Sequence, residues 1–170
     1  MSRGTMTGAR QPEKARALRG GLFGLVLAAF GILFGYSAAA EQPLVVNADT
    51  GLALSGVDPV AYFTDRKPVF GRPDLELGRF GAVWRFRNPG NRDAFVANPE
   101  VYMPQFGGYD PVAIERGRAV PGHPLIWTVT GDRLYLFYSD ADRAAFIADA
   151  DRIVAAATRK WPDVARAANR

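Results

Sequence analysis

Small exported domains usually rely on disulfides, yet this chain has no cysteine at all. Its first forty residues are built as a signal peptide. Arg3, Arg10, Lys14, Arg16 and Arg19 precede an apolar run from Gly21 to Tyr36, and Ala38 and Ala40 supply the small residues of a cleavage site. The run is shorter than the roughly 20 residues a spanning helix prefers. Cleavage after Ala40 leaves Glu41 as the first mature residue and sends the protein to the periplasm or outside the cell. The alternative is an uncleaved N-terminal helix that anchors it to a membrane, which is then its one membrane contact. No cysteine follows the apolar run, so a lipid-anchored lipoprotein is excluded. The organisation expected is a signal peptide over 1–40, a flexible leader over 41–50 and one domain over 51–165.

Without disulfides, the about 130 mature residues must be held by their hydrophobic core, and a chain of that length can bury roughly two-thirds of its surface. Three Trp, five Tyr and eight Phe after Ala40 provide the large side chains for it. The missing cysteines also remove thiolate nucleophiles, zinc–thiolate sites, iron–sulfur clusters and covalent haem. Charge narrows the field further. Of 21 bases and 17 acids, five bases and one acid lie in the first forty residues, leaving sixteen of each. The net +4 of the whole chain belongs to the targeting segment, and a neutral mature domain lacks the electrostatic footprint of nucleic-acid binding.

Punctuation by Pro and Gly predicts short elements. Leu44 to Val46 suggest a brief strand. Asp58-Pro59 predicts a capped helix of one or two turns, ended before Pro68. Leu75 to Asn88 reads as a hairpin with Gly81 between its arms. Asn91 is expected to cap a short helix through Phe95 and Ala97, followed by a turn at 100–103. Asp110-Pro111 and Arg116-Gly117 mark both ends of another helix. Leu125 to Ser139 is the clearest hairpin, turning at Gly131-Asp132. Apolar spacing from Asp140 to about Lys160 predicts one long helix, stopped by Trp161-Pro162. The fold class expected is α+β: two β-hairpins with short intervening helices and a long C-terminal helix.

One echo stands out. "GVDPVAY" at Gly56–Tyr62 and "GYDPVAI" at Gly108–Ile114 agree at five of seven positions. The flanks argue against duplication, since G-x-x-W-x-F follows the first copy and a helix ending at Gly117 follows the second. The shared Asp-Pro-Val-Ala is read as one way of starting a helix, used twice.

The ordered set "GVDPVAYF", "GAVWRFRNPGNRDAFVANPEVYMPQFGGY" and "GDRLYLFYSDADRAAFIADADRIVAAATRKWP" resembles the YHS-domain family in its longer exported form, from about Gly51 to Pro162. The resemblance implies a small α+β unit. It also implies metal binding for some members, usually through cysteine. Here Asp110-Pro111 stands where the family pattern after Gly-Gly-Tyr commonly has Cys-Ala, and Ala61 follows Val60 where short metal-associated versions have cysteine. Any metal would be held without thiolates, which shifts preference towards harder ions.

Candidate chemistry rests on few residues. His123, the one histidine, can ligate a metal or move a proton, but it lies between prolines in "PGHP", where a solvated loop residue is the simpler account. Asp58 and Asp110 can serve as metal ligands or as acid and base, and helix capping explains each of them equally. Tyr62, Tyr102, Phe106 and Tyr109 gather around Gly107-Gly108 and suit either a ligand wall or core packing. Ser55 and Ser139 lack a nucleophile-elbow context. The favoured reading is an exported, non-catalytic binding module that uses Tyr62, Tyr109, Asp110 and His123 for a small ligand. The metal version of it uses Asp58, Asp110 and His123. The rivals are a small periplasmic enzyme using Asp58, Asp110 and His123, and a protein-interaction domain without ligand, which would expose an apolar patch.

Overall fold

A computed structural model describes residues 43–169; the expected signal segment and cleavage site lie outside them. From Pro43 the chain is already part of the domain. The Val45 N–H donates to the Gly107 carbonyl (2.8 Å), Val46 bridges Ala53, and the Asn47 side chain accepts from the amides of Asp49 and Thr50 to close a turn. The flexible leader expected over 41–50 is therefore docked from Pro43 onward. The brief strand expected at Leu44 to Val46 is reduced to the single bridge at Val46.

The fold is α+β. A left-handed 3-10 turn at Leu54–Gly56 leads to α1 (Ala61–Thr64), β1 (Arg72–Arg79), β2 (Ala82–Phe86), α2 (Pro89–Ala97) and α3 (Pro99–Tyr102). A second such turn at Gln105–Gly108 leads to α4 (Pro111–Glu115), β3 (His123–Thr130), β4 (Arg133–Phe137), α5 (Asp140–Ala148) and α6 (Ala150–Ala168). β1 pairs with β2 and β3 with β4, both antiparallel, as two separate two-stranded sheets. Both predicted hairpins form, the first starting at Arg72 rather than Leu75. Each turns through two residues of positive φ, Phe80-Gly81 and Gly131-Asp132, the geometry that matches strand twist.

These two series are copies of one unit, which overturns the reading of the Asp-Pro-Val-Ala echo as a local device. The parallel bridge Leu52–Val83 recurs as Pro104–Leu134, and the antiparallel bridge Val57–Phe70 as Tyr109–Pro121. The register slips between Arg72 and Glu76 in one hairpin and between His123 and Trp127 in the other. Trp84 and Phe86 pack on Phe95 at centroid distances of 4.7 and 5.4 Å; Tyr135 and Phe137 pack on Phe146 at 4.8 and 5.2 Å. The same kink, at Asn98 (φ −141, ψ 62) and at Asp149 (φ −155, ψ 57), opens the last helix of each copy. The second copy is one residue shorter between its aspartate and its first strand. That shift hides the match beyond the seven residues of the echo.

Hairpin 2 lies between the two cores. Leu134 and Leu136, with Trp127 and Val129, face the first core of Tyr62, Trp84, Phe86 and Phe95. Tyr135 and Phe137, with Ile126, face the second core of Val112, Phe146 and Ile153. The far side is closed by α6, whose Ala157, Trp161 and Val164 cover Ile114 of α4.

Helix boundaries move as well. α2 is capped by Asn88, whose side chain accepts the Asn91 N–H, because Pro89 takes the first helical position; Asn91 lies inside the helix. The helix expected over 140–160 is two helices broken at Asp149, where neither Gly nor Pro interrupts the periodicity. α6 then runs through Pro162 to Ala168. An internal proline costs about 3 kcal/mol, and the burial of Trp161 and Val164 beside it against α4 offsets that at roughly 1.5–3 kcal/mol for a large side chain.

Gly107 has φ +61, and a Cβ there would lie 1.9 Å from the Pro43 carbonyl oxygen; Gly117, at φ +78, faces open space. Gly117→Ala should cost about 1 kcal/mol, the left-handed penalty alone. Gly107→Ala should cost more in urea unfolding, and the Val45 amide should lose its protection in hydrogen exchange.

Candidate functional site

Asp58 and Asp110 are both 0% exposed, and each is bound to its own repeat at two places. Asp58 Oδ1 accepts the Val60 N–H (2.9 Å) at the start of α1. Its Oδ2 accepts the Arg87 N–H (2.8 Å) just past β2 and the Asn91 side-chain amide (2.7 Å). Asp110 Oδ1 accepts the Val112 and Ala113 N–H groups (2.7 and 3.3 Å) at the start of α4. Its Oδ2 accepts the Tyr138 N–H (2.8 Å) just past β4. Arg87 and Tyr138 are equivalent residues of the two copies. The capping expected from Asp-Pro is present in α4, whose N-cap is Asp110; α1 starts only at Ala61 with Val60 at its N-cap, so Asp58 closes the turn that leads into it. Each carboxylate also ties that start to the exit of its hairpin. Burial pushes the Asp110 carboxyl above its ordinary value, against the pull of the three amides that donate to it.

The other candidates stand apart from these oxygens. Tyr62 is 1% exposed. It packs edge-on against Trp127 at 5.1 Å, and its hydroxyl donates to the Pro124 carbonyl (2.8 Å). Burial, and then the charge of Asp58, hold its phenol far above the usual range. Tyr109 is half-buried with its ring 5.7 Å from that of Trp161, and burial raises its phenol as well. His123 is exposed, and its Nδ1 accepts the Leu125 N–H (3.1 Å), which leaves Nε2 to carry the proton of the neutral ring. Tyr102 packs on Phe63 at 5.4 Å and Phe106 on Trp161 at 5.7 Å. These two are core residues, as the packing reading holds. Among the described residues no three His, Asp or Glu side chains are grouped to hold a metal ion. Asp58, Asp110 and His123 are therefore not brought together, and the oxygens a metal would need are already accepting amides.

A hollow partly open to solvent lies at the seam of the two repeats. A cavity of about 80 Å3 is lined by Val45, Val46 and Asn47 of the docked N-terminal strap, Leu54 and Ser55 of the first left-handed turn, and Gly108 of the second. Pro104, Gly122, Pro124 and Leu136 complete it. Leu54 and Ser55 take φ of 52° and 49°, a region that costs a non-glycine residue roughly 1–2 kcal/mol. The wall is mostly aliphatic, with Ser55 and Asn47 as polar edges. None of its residues was a sequence candidate for ligand binding. The nearest signal was Gly107-Gly108, around which the aromatics were expected to gather, and what lies against Gly107 is the backbone of the strap.

No protein-family model, curated protein or solved structure matches this chain.

Two substitutions separate tying from chemistry. Asp110→Ala leaves three amide donors without their acceptor and should destabilise the domain by about 2–4 kcal/mol in urea unfolding, whether or not divalent metal is present. Tyr62→Phe should cost about 1 kcal/mol near neutral pH through the lost bond to Pro124. The folded phenol titrates above its unfolded value of about 10, so its contribution is whole below pH 10 and is lost as pH rises beyond that. The alkaline decline in stability should therefore be shallower in Tyr62→Phe than in wild type.

Proposed function

We propose that the chain is an exported, non-catalytic YHS-like binding module that takes a small, largely apolar ligand in the cavity at the seam of its repeats. The observation that carries this reading is the cavity itself, whose strap, two left-handed turns and strand β4 converge from distant parts of the sequence. Strained turns that persist around a void are the pattern expected of a binding site. A space of about 80 Å3 admits a group of a few heavy atoms, given that a single water needs about 10–15 Å3 on the same scale. Ser55 and Asn47 are placed to orient it.

The donor set favours this over the metal version and over an acid–base enzyme. Asp58 and Asp110 have their oxygens committed to amides, and His123 lies on the exposed start of β3. One observation favours a second reading, a protein-interaction domain: Phe70, Leu125, Tyr138 and Ile147 are each at least half exposed, and large apolar side chains at the surface suit a partner where they form a patch.

A fragment screen by two-dimensional NMR on residues 41–170 tests the reading. Binders should shift the amides of Val45, Leu54, Gly108 and Leu136, and Val46→Phe, which fills the mouth, should abolish those shifts. Shifts confined to Phe70, Leu125, Tyr138 and Ile147 would favour the interaction domain instead.

A further inference from the structure

The hollow at the seam is polar at one end only. Its floor is Leu54, Pro104, Gly108, Gly122 and Leu136, all buried. Two backbone oxygens of the lining are already engaged. The Gly108 carbonyl accepts the Gly122 N–H (2.9 Å), and the Pro124 carbonyl accepts the Tyr62 hydroxyl (2.8 Å). The floor therefore suits aliphatic groups, and a polar group pushed onto it loses its water without gaining a partner. The exposed residues of the lining are Val46, Asn47 and Ser55, so both polar side chains stand at the mouth. None of the ten lining residues is ionisable.

Asn47 is held in one orientation. Its side-chain oxygen accepts the Asp49 and Thr50 amides (3.1 and 2.9 Å) and the Thr50 hydroxyl (2.9 Å). Backbone amides only donate, so the atom they meet is Oδ1, and what the side chain has left to offer is the Nδ2 donor. The Ser55 hydroxyl can donate or accept.

We propose that the seam selects uncharged molecules that carry a hydrogen-bond acceptor, a carbonyl in the simplest case, at the end of a short branched aliphatic chain. The chain enters first and lies on the floor. The carbonyl oxygen stays at the mouth, where Asn47 Nδ2 and the Ser55 hydroxyl donate to it. A space of about 80 Å3, against about 10–15 Å3 for one water, holds roughly five to eight heavy atoms, which is a four-carbon branch with its carbonyl group. An ammonium head meets a donor at Asn47. A carboxylate head loses solvent against an aliphatic wall that holds no cation. Both are disfavoured relative to the neutral head, and Asn47 is the residue that sets this preference. This inference rests on the reading of the seam as a ligand site.

The test uses residues 41–170, which contain all three cores, titrated near neutral pH and followed by two-dimensional NMR. Four compounds share one branched chain: isovaleramide, methyl isobutyl ketone, isovalerate and isopentylamine. The amide and the ketone should shift the backbone amides of Leu54, Gly108 and Leu136, and the two charged compounds should bind about ten-fold or more weakly. Asn47→Asp keeps an oxygen for the Asp49 and Thr50 amides and replaces the donor by a charged acceptor. It should weaken the ketone about ten-fold and make isopentylamine the preferred ligand, whereas a merely structural defect would weaken all four alike. Ser55→Ala leaves the Asn47 turn untouched and should weaken both neutral compounds about three-fold. Equal affinities for the four compounds in wild type, or an unchanged order in Asn47→Asp, would overturn the inference. A seam that binds other fragments but neither neutral compound would overturn it too and leave the ligand-site reading standing. A seam that binds no fragment at all would overturn that reading, and this inference with it.

Discussion

One buried carboxylate holds each half of this domain together. A short helix such as α1 or α4 has too few turns to be stable alone, and a two-stranded hairpin is marginal in water. Asp58 and Asp110 join these weak pieces. Asp58 accepts one amide and Asp110 two at the lead into a helix, and each accepts another amide just beyond the second strand. The second tie in each pair spans 29 or 28 residues of sequence. Hydrogen bonds to a charged acceptor contribute about 1.5–3 kcal/mol, and here they fix the helix against the sheet as well as capping it. The same bonds explain why these acids are poor candidates for chemistry. An oxygen that must hold two segments of backbone cannot turn to a metal or a substrate without releasing them.

The duplication explains how so small a chain builds a core. Strand β2 alternates buried and half-buried positions, whereas β4 is buried at every residue from Leu134 to Phe137. The reason is position. Hairpin 2 separates two cores, so both of its faces are apolar, while hairpin 1 stands at the end of the stack with one face towards solvent. Equivalent residues make the contrast explicit. Where hairpin 2 has Trp127, Val129, Leu134 and Leu136 facing the first core, hairpin 1 has Glu76, Gly78, Val83 and Arg85, with Arg85 and Glu76 paired at 2.7 Å. Repeat arrays need a polar outer face on their end units, and the Glu76–Arg85 pair supplies one. At the other end α6 plays the closing part, covering Ile114 where the first copy's Tyr62 is covered by Trp127.

Much of this architecture is legible in the residues. Asp-Pro caps, the Gly131-Asp132 turn and the unbroken "LYLF" against the alternating "AVWRF" each carry a local physical cause, and the elements they predict form. The missed features are those whose cause is not local. The repeat escapes detection because one deleted residue shifts the register and because facing one core or two changes which residues are apolar. Asp149 breaks a helix without Gly or Pro, and the only hint is that Asn98-Pro99 does so at the equivalent place in the first copy. Pro162 fails to stop α6 because packing on α4 outweighs propensity. The cavity draws on residues from Val45 to Leu136, so no window of sequence could reveal it. Residues 41–50 read as a leader because nothing local in them marks a packed element; Gly107, about sixty residues on, is what receives Pro43 and Val45.

Strap and cavity share Val45, Val46 and Asn47, and this sharing has a thermodynamic consequence. A ligand that touches those residues binds the docked form and not the undocked one, so it stabilises docking as its concentration exceeds its dissociation constant. Linkage makes the effect reciprocal: whatever favours docking tightens ligand binding by the same factor. Gly107 is the point where the two meet, since it carries the strap's backbone contact and adjoins Gly108 in the cavity wall. Loss of its hydrogen atom to a methyl group acts on both at once. A ligand held at the seam would thus be coupled to attachment of the N-terminal strap through the residues the two share.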